Sequence, residues 1–260
     1  MKFLQKIVIV IFIIGVVGYF FHNAILKFAL ERMAHQLLGL NVRIETLDLS
    51  FKSSTLKIQH LEVSNPRGFS SARMIDMPQI TLQLEPRGLL RGKVHLKEIN
   101  VYLREMLVEK NEKGAVNLNA LKVVRTTEGT IPVSKRSPSE HRDIRIDRAF
   151  LKIDKVVYKD FSQTPPYHRG FPIFLNEQYD NITDVKSLAQ LIIVKALAKT
   201  TIATLTGFDL YHLSRSVESV VGVVPQKALE KTAAQTKKIL KDAGNAVEKA
   251  VDSLKEMFNQ

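Results

Sequence analysis

Cysteine is absent from this chain of 260 residues, and its absence excludes three kinds of chemistry. Without thiols the chain forms no disulfide framework, no thiolate zinc site and no cysteine nucleophile. Other enzyme signatures are also missing, because the sequence contains no H-E-x-x-H, no G-x-S-x-G, no P-loop and no strand-coupled G-x-G-x-x-G. The seven histidines are scattered without metal-ligand spacing. We therefore predict that the protein is not an enzyme and has no metal or cofactor site.

Acidic residues are fewer than basic ones, 26 against 38, which gives a formal net charge of +12. Such an excess favours a polyanionic partner, either nucleic acid or anionic lipid. Two basic clusters, over 87–97 and 135–148, lack the interleaved aromatic side chains on which bases stack, so we expect no nucleic-acid partner. A solvated face and contact with anionic headgroups are equally good interpretations. The headgroup candidates are Arg87, Arg91, Lys93 and Lys97.

One long apolar run stands near the N-terminus. Lys2 and Lys6 precede 15 apolar residues over 7–21, and three more follow after two polar positions. Together they approach the ~20 residues that cross a bilayer. The positions that a signal peptidase needs to be small carry His22 or Val16, so we expect an uncleaved anchor rather than a signal peptide. The positive-inside rule then leaves the basic tail in the cytoplasm and the bulk of the chain across the membrane.

After Gly39 one strand pattern occurs four times: apolar residues alternate, slip by two residues and alternate again. Because side chains alternate between the faces of a strand, an extra residue at the slip keeps the apolar ones on one face, as a β-bulge or bend does. Hairpin turns are the alternative, but slip residues such as Glu45-Thr46 and Lys97-Glu98 lack the Gly or Asn of favoured turns. We therefore predict long strands that bend in the middle.

The strands separate apolar from polar positions cleanly, which predicts an antiparallel sheet with one wet face and one apolar face. The apolar face either packs on helices as an ordinary core or lines a groove for acyl chains. The candidates for acyl-chain contact are Val42, Ile44, Leu47, Leu49, Leu56, Ile58, Leu61, Val63, Val94, Leu96, Ile99 and Val101.

The predicted fold is mainly β with flanking helices (α+β): an N-terminal transmembrane helix, a bent antiparallel sheet that forms a groove or half-barrel, and C-terminal amphipathic helices. A plain strand is expected at Val116 and Leu118. The last helix has a Lys-rich face, and the membrane surface, a protein partner or the domain's own sheet could receive it. The predicted segments are an anchor and continuing helix over 1–38, a first β region over 39–122, a flexible insert over 123–143, a second β region over 144–182, an apolar helix over 183–207 and an amphipathic basic helix over 225–260.

Three segments that follow the anchor resemble the AsmA-like proteins of Gram-negative bacteria. They are VRIETLDL over 42–49, LKIQHLEVSNPRGF over 56–69 and LLRGKVHL over 89–96. The resemblance implies a short member of that group, a single-pass inner-membrane protein that projects a bent sheet into the periplasm. Its relatives include bridge-like proteins with lipid-carrying grooves, and it implies a role in envelope lipid or outer-membrane homeostasis.

The resemblance implies membrane lipids as partners, through headgroups and acyl chains, and supplies no catalytic residue. The β region is too short to bridge the envelope. A local lipid holder, an adaptor for a longer bridge and an anchored scaffold that binds another envelope protein through its sheet or last helix are therefore all open.

Overall fold

The computed structural model describes residues 23–86, 94–125 and 144–221. Among these residues no helix is both long and apolar enough to cross a membrane. Several predicted features lie outside the described residues: the apolar run over 7–21, the headgroup candidates Arg87, Arg91 and Lys93, most of the insert over 123–143, and the basic helix over 225–260.

Six strands form one open sheet, and their spatial order follows their order in the chain. The strands are Val42–Ser50 (β1), Thr55–Ser64 (β2), Arg73–Leu84 (β3), Val94–Lys110 (β4), Ile144–Asp160 (β5) and Tyr167–Ile182 (β6). Neighbours pair antiparallel except β4 and β5, which pair in parallel. The described part is mainly β with helices, as predicted. The sheet is mixed, however, and the prediction of a wholly antiparallel sheet is wrong at this one pair.

Opposite charges match along the parallel pair. Glu98 and Glu105 of β4 face Arg148 and Lys155 of β5, at N–O distances of 3.3 and 2.6 Å. The ladder also places Glu109 opposite Lys159 and Lys110 opposite Asp160. Any shift along the pair would break these matches and the apolar ones between them, so side chains specify this register.

Parallel pairing requires a crossover, and the chain from 111 to 143 supplies it. Its described part packs on the apolar face as two 3₁₀ turns, Asn117–Ala120 and Lys122–Val124. Leu118 and Leu121 there are fully buried. The predicted strand at Val116 and Leu118 is therefore wrong, because only a single β-bridge, from Val116 to Lys110, forms there. The chain leaves the sheet at this point to return to its other end.

Each predicted slip lies within one continuous strand. In β1, Glu45 and Thr46 are both exposed, whereas Ile44 and Leu47 on either side of them are buried. The partner strand accommodates the extra residue at His60, whose φ is 50°. A single left-handed residue turns the following side chain back to the same face, so the apolar positions before and after the slip stay together.

The slips align in two rows across the sheet. The first row joins Glu45 and His60 on β1 and β2 to Asp154 and Phe174 on β5 and β6, and the ladder omits each of these pairs. The second row includes Asp147 and Asn181. Phe174 and Asn181, like His60, have positive φ, 45° and 57°. A left-handed residue changes the direction of its strand, so we expect the aligned slips to bend the sheet along a line.

The helices named in the described ranges are α1, described over 23–38, Val185–Ala198 (α2), Ile202–Thr206 (α3) and Leu210–Val221 (α4). The predicted helix over 183–207 is interrupted after Ala198. The hydroxyl of Thr200 donates to the Leu197 carbonyl at 2.8 Å and accepts from the Ile202 N–H at 3.2 Å. A hydroxyl that bonds the backbone locally competes with the helical ladder, which explains the break.

The apolar face of the sheet is the core, and the helices cover it from two sides. Leu26, Leu30 and Leu37 of α1 pack against the core beside β1, whereas α2 and α4 contact β5 and β6 at the other edge. The crossover turns lie on the same face between them.

Replacement of His60 by glycine tests the bend. We expect His60→Gly to raise the free energy of unfolding by about 1 kcal/mol, because left-handed backbone costs other residues roughly 1–2 kcal/mol. The 3.2 Å contact between His60 and Glu45 is exposed and contributes little. The matched control, Gln59→Gly, should lose about 0.5–1 kcal/mol in the same strand. Chemical unfolding of the full chain in detergent measures both, and equal losses would contradict a bend built at His60.

A charge exchange tests the parallel register. Glu105→Lys and Lys155→Glu each place like charges opposite one another, and each should reduce the free energy of unfolding by about 0.5–1 kcal/mol. The double exchange restores an opposite pair and should recover most of the loss in the same unfolding measurement. Additive losses in the double variant would show that the two side chains do not interact.

Candidate functional site

The twelve acyl-chain candidates lie together on the apolar face of β1, β2 and β4. Nine are buried: Val42, Ile44, Leu47, Leu56, Ile58, Val63, Leu96, Ile99 and Val101. Leu49, Leu61 and Val94 are half-buried and pack against the same cluster. Ile44, at 1% exposure, shows how complete the cover is. The structure thus assembles the candidates on one surface, and that surface is mostly buried rather than open.

Helix α1 is attached to the free edge of β1 by polar side chains. Edge strands leave a row of backbone groups unpaired, and such groups attract other chains unless they are covered. Three α1 side chains satisfy this row: Glu31 accepts the Ile44 N–H at 2.7 Å, Asn23 accepts the Leu49 N–H at 3.3 Å, and Lys27 donates to the Glu45 carbonyl at 3.1 Å. The cover of the candidate site at this edge is therefore one helix held by three surface contacts and its leucines.

A buried cation attaches α2 to β6 at the opposite edge. Lys195 is buried, and its Nζ lies 2.8 Å from Glu177 Oε2 and 5.1 Å from the ring centre of Tyr179. The Tyr179 hydroxyl donates to the same carboxylate. Burial alone would raise the pKa of Glu177, but the hydrogen bonds from Lys195 and Tyr179 outweigh it and lower that pKa. Burial and the bond to Glu177 raise the pKa of Tyr179.

The Asn-Pro-Arg-Gly-Phe motif has a structural role. Its Asn65 donates to the fully buried carboxylate of Glu109 at 3.1 Å and accepts from Asn117 at 2.8 Å. Glu109 also accepts the N–H groups of Ser70 and Ser71 at 2.5 and 3.1 Å. A buried carboxylate is stable only with such partners. This network holds the β2–β3 loop against the far end of β4.

A shallow depression of about 270 Å³ lies on the polar face, a feature that the sequence did not indicate. It is lined by Gln79, Asn100, Val101, Tyr102, Phe150, Lys152 and Asn176. The Tyr102 hydroxyl donates to Asp154 at 2.6 Å, and that bond raises its pKa. Lys152 stands 4.5 Å from the Tyr102 ring centre. Most of the lining side chains are polar, so the depression would suit a polar ligand better than an acyl chain.

Lys97 is the one headgroup candidate among the described residues. Its ammonium lies 2.8 Å from Glu85 Oε2, so its charge is paired. No group of His, Asp and Glu in the described ranges has an arrangement that could hold a metal ion. Comparison with protein-family models, with curated proteins and with solved structures finds no match for the chain.

Acid should loosen the attachment of α2. Because the pKa of Glu177 is lowered in the fold, its contribution is present above the ordinary value of 4.5 and is lost as pH falls through the folded pKa. We expect the difference in unfolding free energy between wild type and Glu177→Gln to be largest near neutral pH and to shrink below pH 4.5. The exposed turn residue Glu112 provides the control Glu112→Gln, which should show no such trend. A difference in unfolding free energy that does not change with pH would contradict a stabilising role for the Glu177–Lys195 ion pair.

Proposed function

We propose that this chain is a membrane-anchored, AsmA-like protein of the cell envelope that takes part in lipid homeostasis, with the apolar face of its sheet as the acyl-chain surface. The observation that carries the proposal is the length of that face. β4 and β5 each contain 17 residues, about 55 Å, and keep apolar side chains on one face through both rows of slips. Typical strands have about 5–6 residues, so a small core does not require this length.

The anchor is supported by the residues on either side of position 22. The apolar run over 7–21 directly precedes α1, and the start of α1 exposes Ile25 and Phe28, at 63% and 66%. Large apolar side chains next to a membrane span are stable in the interfacial layer. By the positive-inside rule the sheet would lie in the periplasm and the anchor in the inner membrane.

The mechanism would be passive exchange beneath a helical cover. In this mechanism α1 moves away from β1 to admit an acyl chain to the apolar face, and α1 is the element that joins the sheet to the apolar run. An acyl chain that passes from the bilayer to the apolar face exchanges one apolar environment for another, so its transfer is nearly neutral and needs no cofactor or nucleotide. The bilayer supplies the ligand at the place where the cover is tethered.

A second candidate function is an anchored scaffold that binds another envelope protein without carrying lipid. The burial of nine of the twelve candidates favours it, because a packed apolar face is already satisfied. In that case the partner would bind through the outer sheet surface or the segment over 225–260, and α1 would serve only to protect the edge of β1.

A photo-crosslinker placed in turn at Ile58 and Gln59 separates the two functions. These neighbours face opposite sides of β2, Ile58 buried and Gln59 exposed. Lipid exchange predicts that native lipid is captured in cells at Ile58 and not at Gln59. Protein adducts at Gln59 with no lipid at Ile58 would instead support the scaffold.

Weakening the cover sharpens that experiment. Glu31→Ala removes the acceptor of the Ile44 N–H, so α1 should separate from β1 more often and lipid capture at Ile58 should rise several-fold. Arg32→Ala, an exposed neighbour on the same helix, is the matched control and should leave capture unchanged. Equal capture in both variants would show that α1 does not control access.

A further inference from the structure

The turn between β1 and β2 presents an aromatic side chain to solvent. Phe51 begins this turn, over 51–54, and is 68% exposed. Lys52 follows it and is also exposed. An exposed phenylalanine beside an exposed lysine also occurs on ordinary protein surfaces. The location of the turn therefore decides whether the pair indicates a contact surface.

The turn lies at the end of the sheet from which α1 enters. The Leu49 N–H donates to Asn23 at 3.3 Å, whereas the later residues of α1 contact earlier positions of β1. Helix and strand therefore run in opposite directions, and Phe51 lies past the level of Asn23. The segment that immediately precedes Asn23 in the chain contains the apolar run over 7–21. Phe51 thus lies on the side of the domain that the anchor joins.

The remaining strands end at the same level. The register connects one row across the sheet: Ser54, Leu84, Leu96, Ile146 and Ile182. Just beyond this row α2 begins with Val185, which is 39% exposed, and the exposed Lys186. The end of the sheet therefore has an apolar and basic pair near each edge, Phe51 with Lys52 and Val185 with Lys186.

We propose that this end of the sheet rests on the bilayer surface, with Phe51 in the interfacial layer and Lys52 beside anionic lipid headgroups. Aromatic side chains are stable at that depth, and basic ones are attracted to anionic lipid. The inference rests on the proposed anchoring and adds an orientation to it. The sheet would stand on the membrane with the first row of slips directed away from it, and the free end of β1 would meet the lipid beside its helical cover.

The absence of cysteine makes a direct test possible, because one introduced thiol is the only one in the chain. Phe51→Cys is labelled with a nitrobenzoxadiazole dye, and the full chain is reconstituted into phosphatidylcholine vesicles with or without phosphatidylglycerol. Phe174→Cys is the matched control, since Phe174 is 80% exposed but lies about 25 Å along β6 from this end. Quenching is measured with nitroxide-labelled lipids and with aqueous iodide.

We expect nitroxide lipids to quench the dye at 51 several-fold more than the dye at 174, with iodide showing the reverse order. Phosphatidylglycerol should strengthen lipid quenching at 51, and Lys52→Gln should remove that increase. Co-flotation of the chain with the vesicles is measured in parallel. A chain that fails to float overturns the anchored function and this orientation together. A chain that floats while the dye at 51 is as open to iodide as the dye at 174 overturns only the orientation.

Discussion

The parallel pairing of β4 with β5 is the constraint on which the rest of the structure depends. Two 17-residue strands in constant register place four pairs of opposite charges side by side and match their apolar residues between them. The same pairing forces the chain over 111–143 to return to the other end of the sheet. That return brings Leu118 and Leu121 onto the apolar face, so one pairing decides both the sheet's order and part of its cover.

Matched strands also explain why the slips align across the sheet. β4 and β5 each slip twice, at 97–98 and 104–105 and at 147–148 and 154–155, so the extra residues face each other across the parallel ladder. In the antiparallel pairs the two strands do not carry the same slip at equivalent positions. One strand of the pair instead has a left-handed residue at the slip: His60 on β2, and Phe174 and Asn181 on β6. The same slip pattern therefore has two backbone solutions: paired slips in β4 and β5, and left-handed residues in β2 and β6.

The sequence predicted the strand content, the shared apolar face and the slips inside strands, because these depend on a period of two that can be counted. It did not predict the parallel pair, since charge matching between Glu105 and Lys155 is visible only after a register is assumed. The break at Thr200 depends on one hydroxyl, and the burial of Lys195 depends on Glu177, which lies on a distant strand. Hydrogen bonds and ion pairs between individual polar groups leave no periodic pattern in the sequence. For the acyl-chain candidates, periodicity found the surface but could not show that α1 lies on it.

A covered apolar face is compatible with lipid exchange when the acyl chain replaces the apolar contacts that the cover gives up. The three contacts between α1 and β1 are side-chain hydrogen bonds to the strand backbone, and the half-buried leucines of α1 pack against the core beside them. An acyl chain that enters from the bilayer exchanges one apolar environment for another, so its transfer is nearly neutral and it can take over the apolar contacts that the leucines of α1 give up. Because α1 stays tethered next to the sheet, it re-forms its contacts as soon as the chain leaves. A helix that protects the edge of β1 in the absence of lipid can therefore be the same helix that admits lipid, and edge protection and access need not be separate functions.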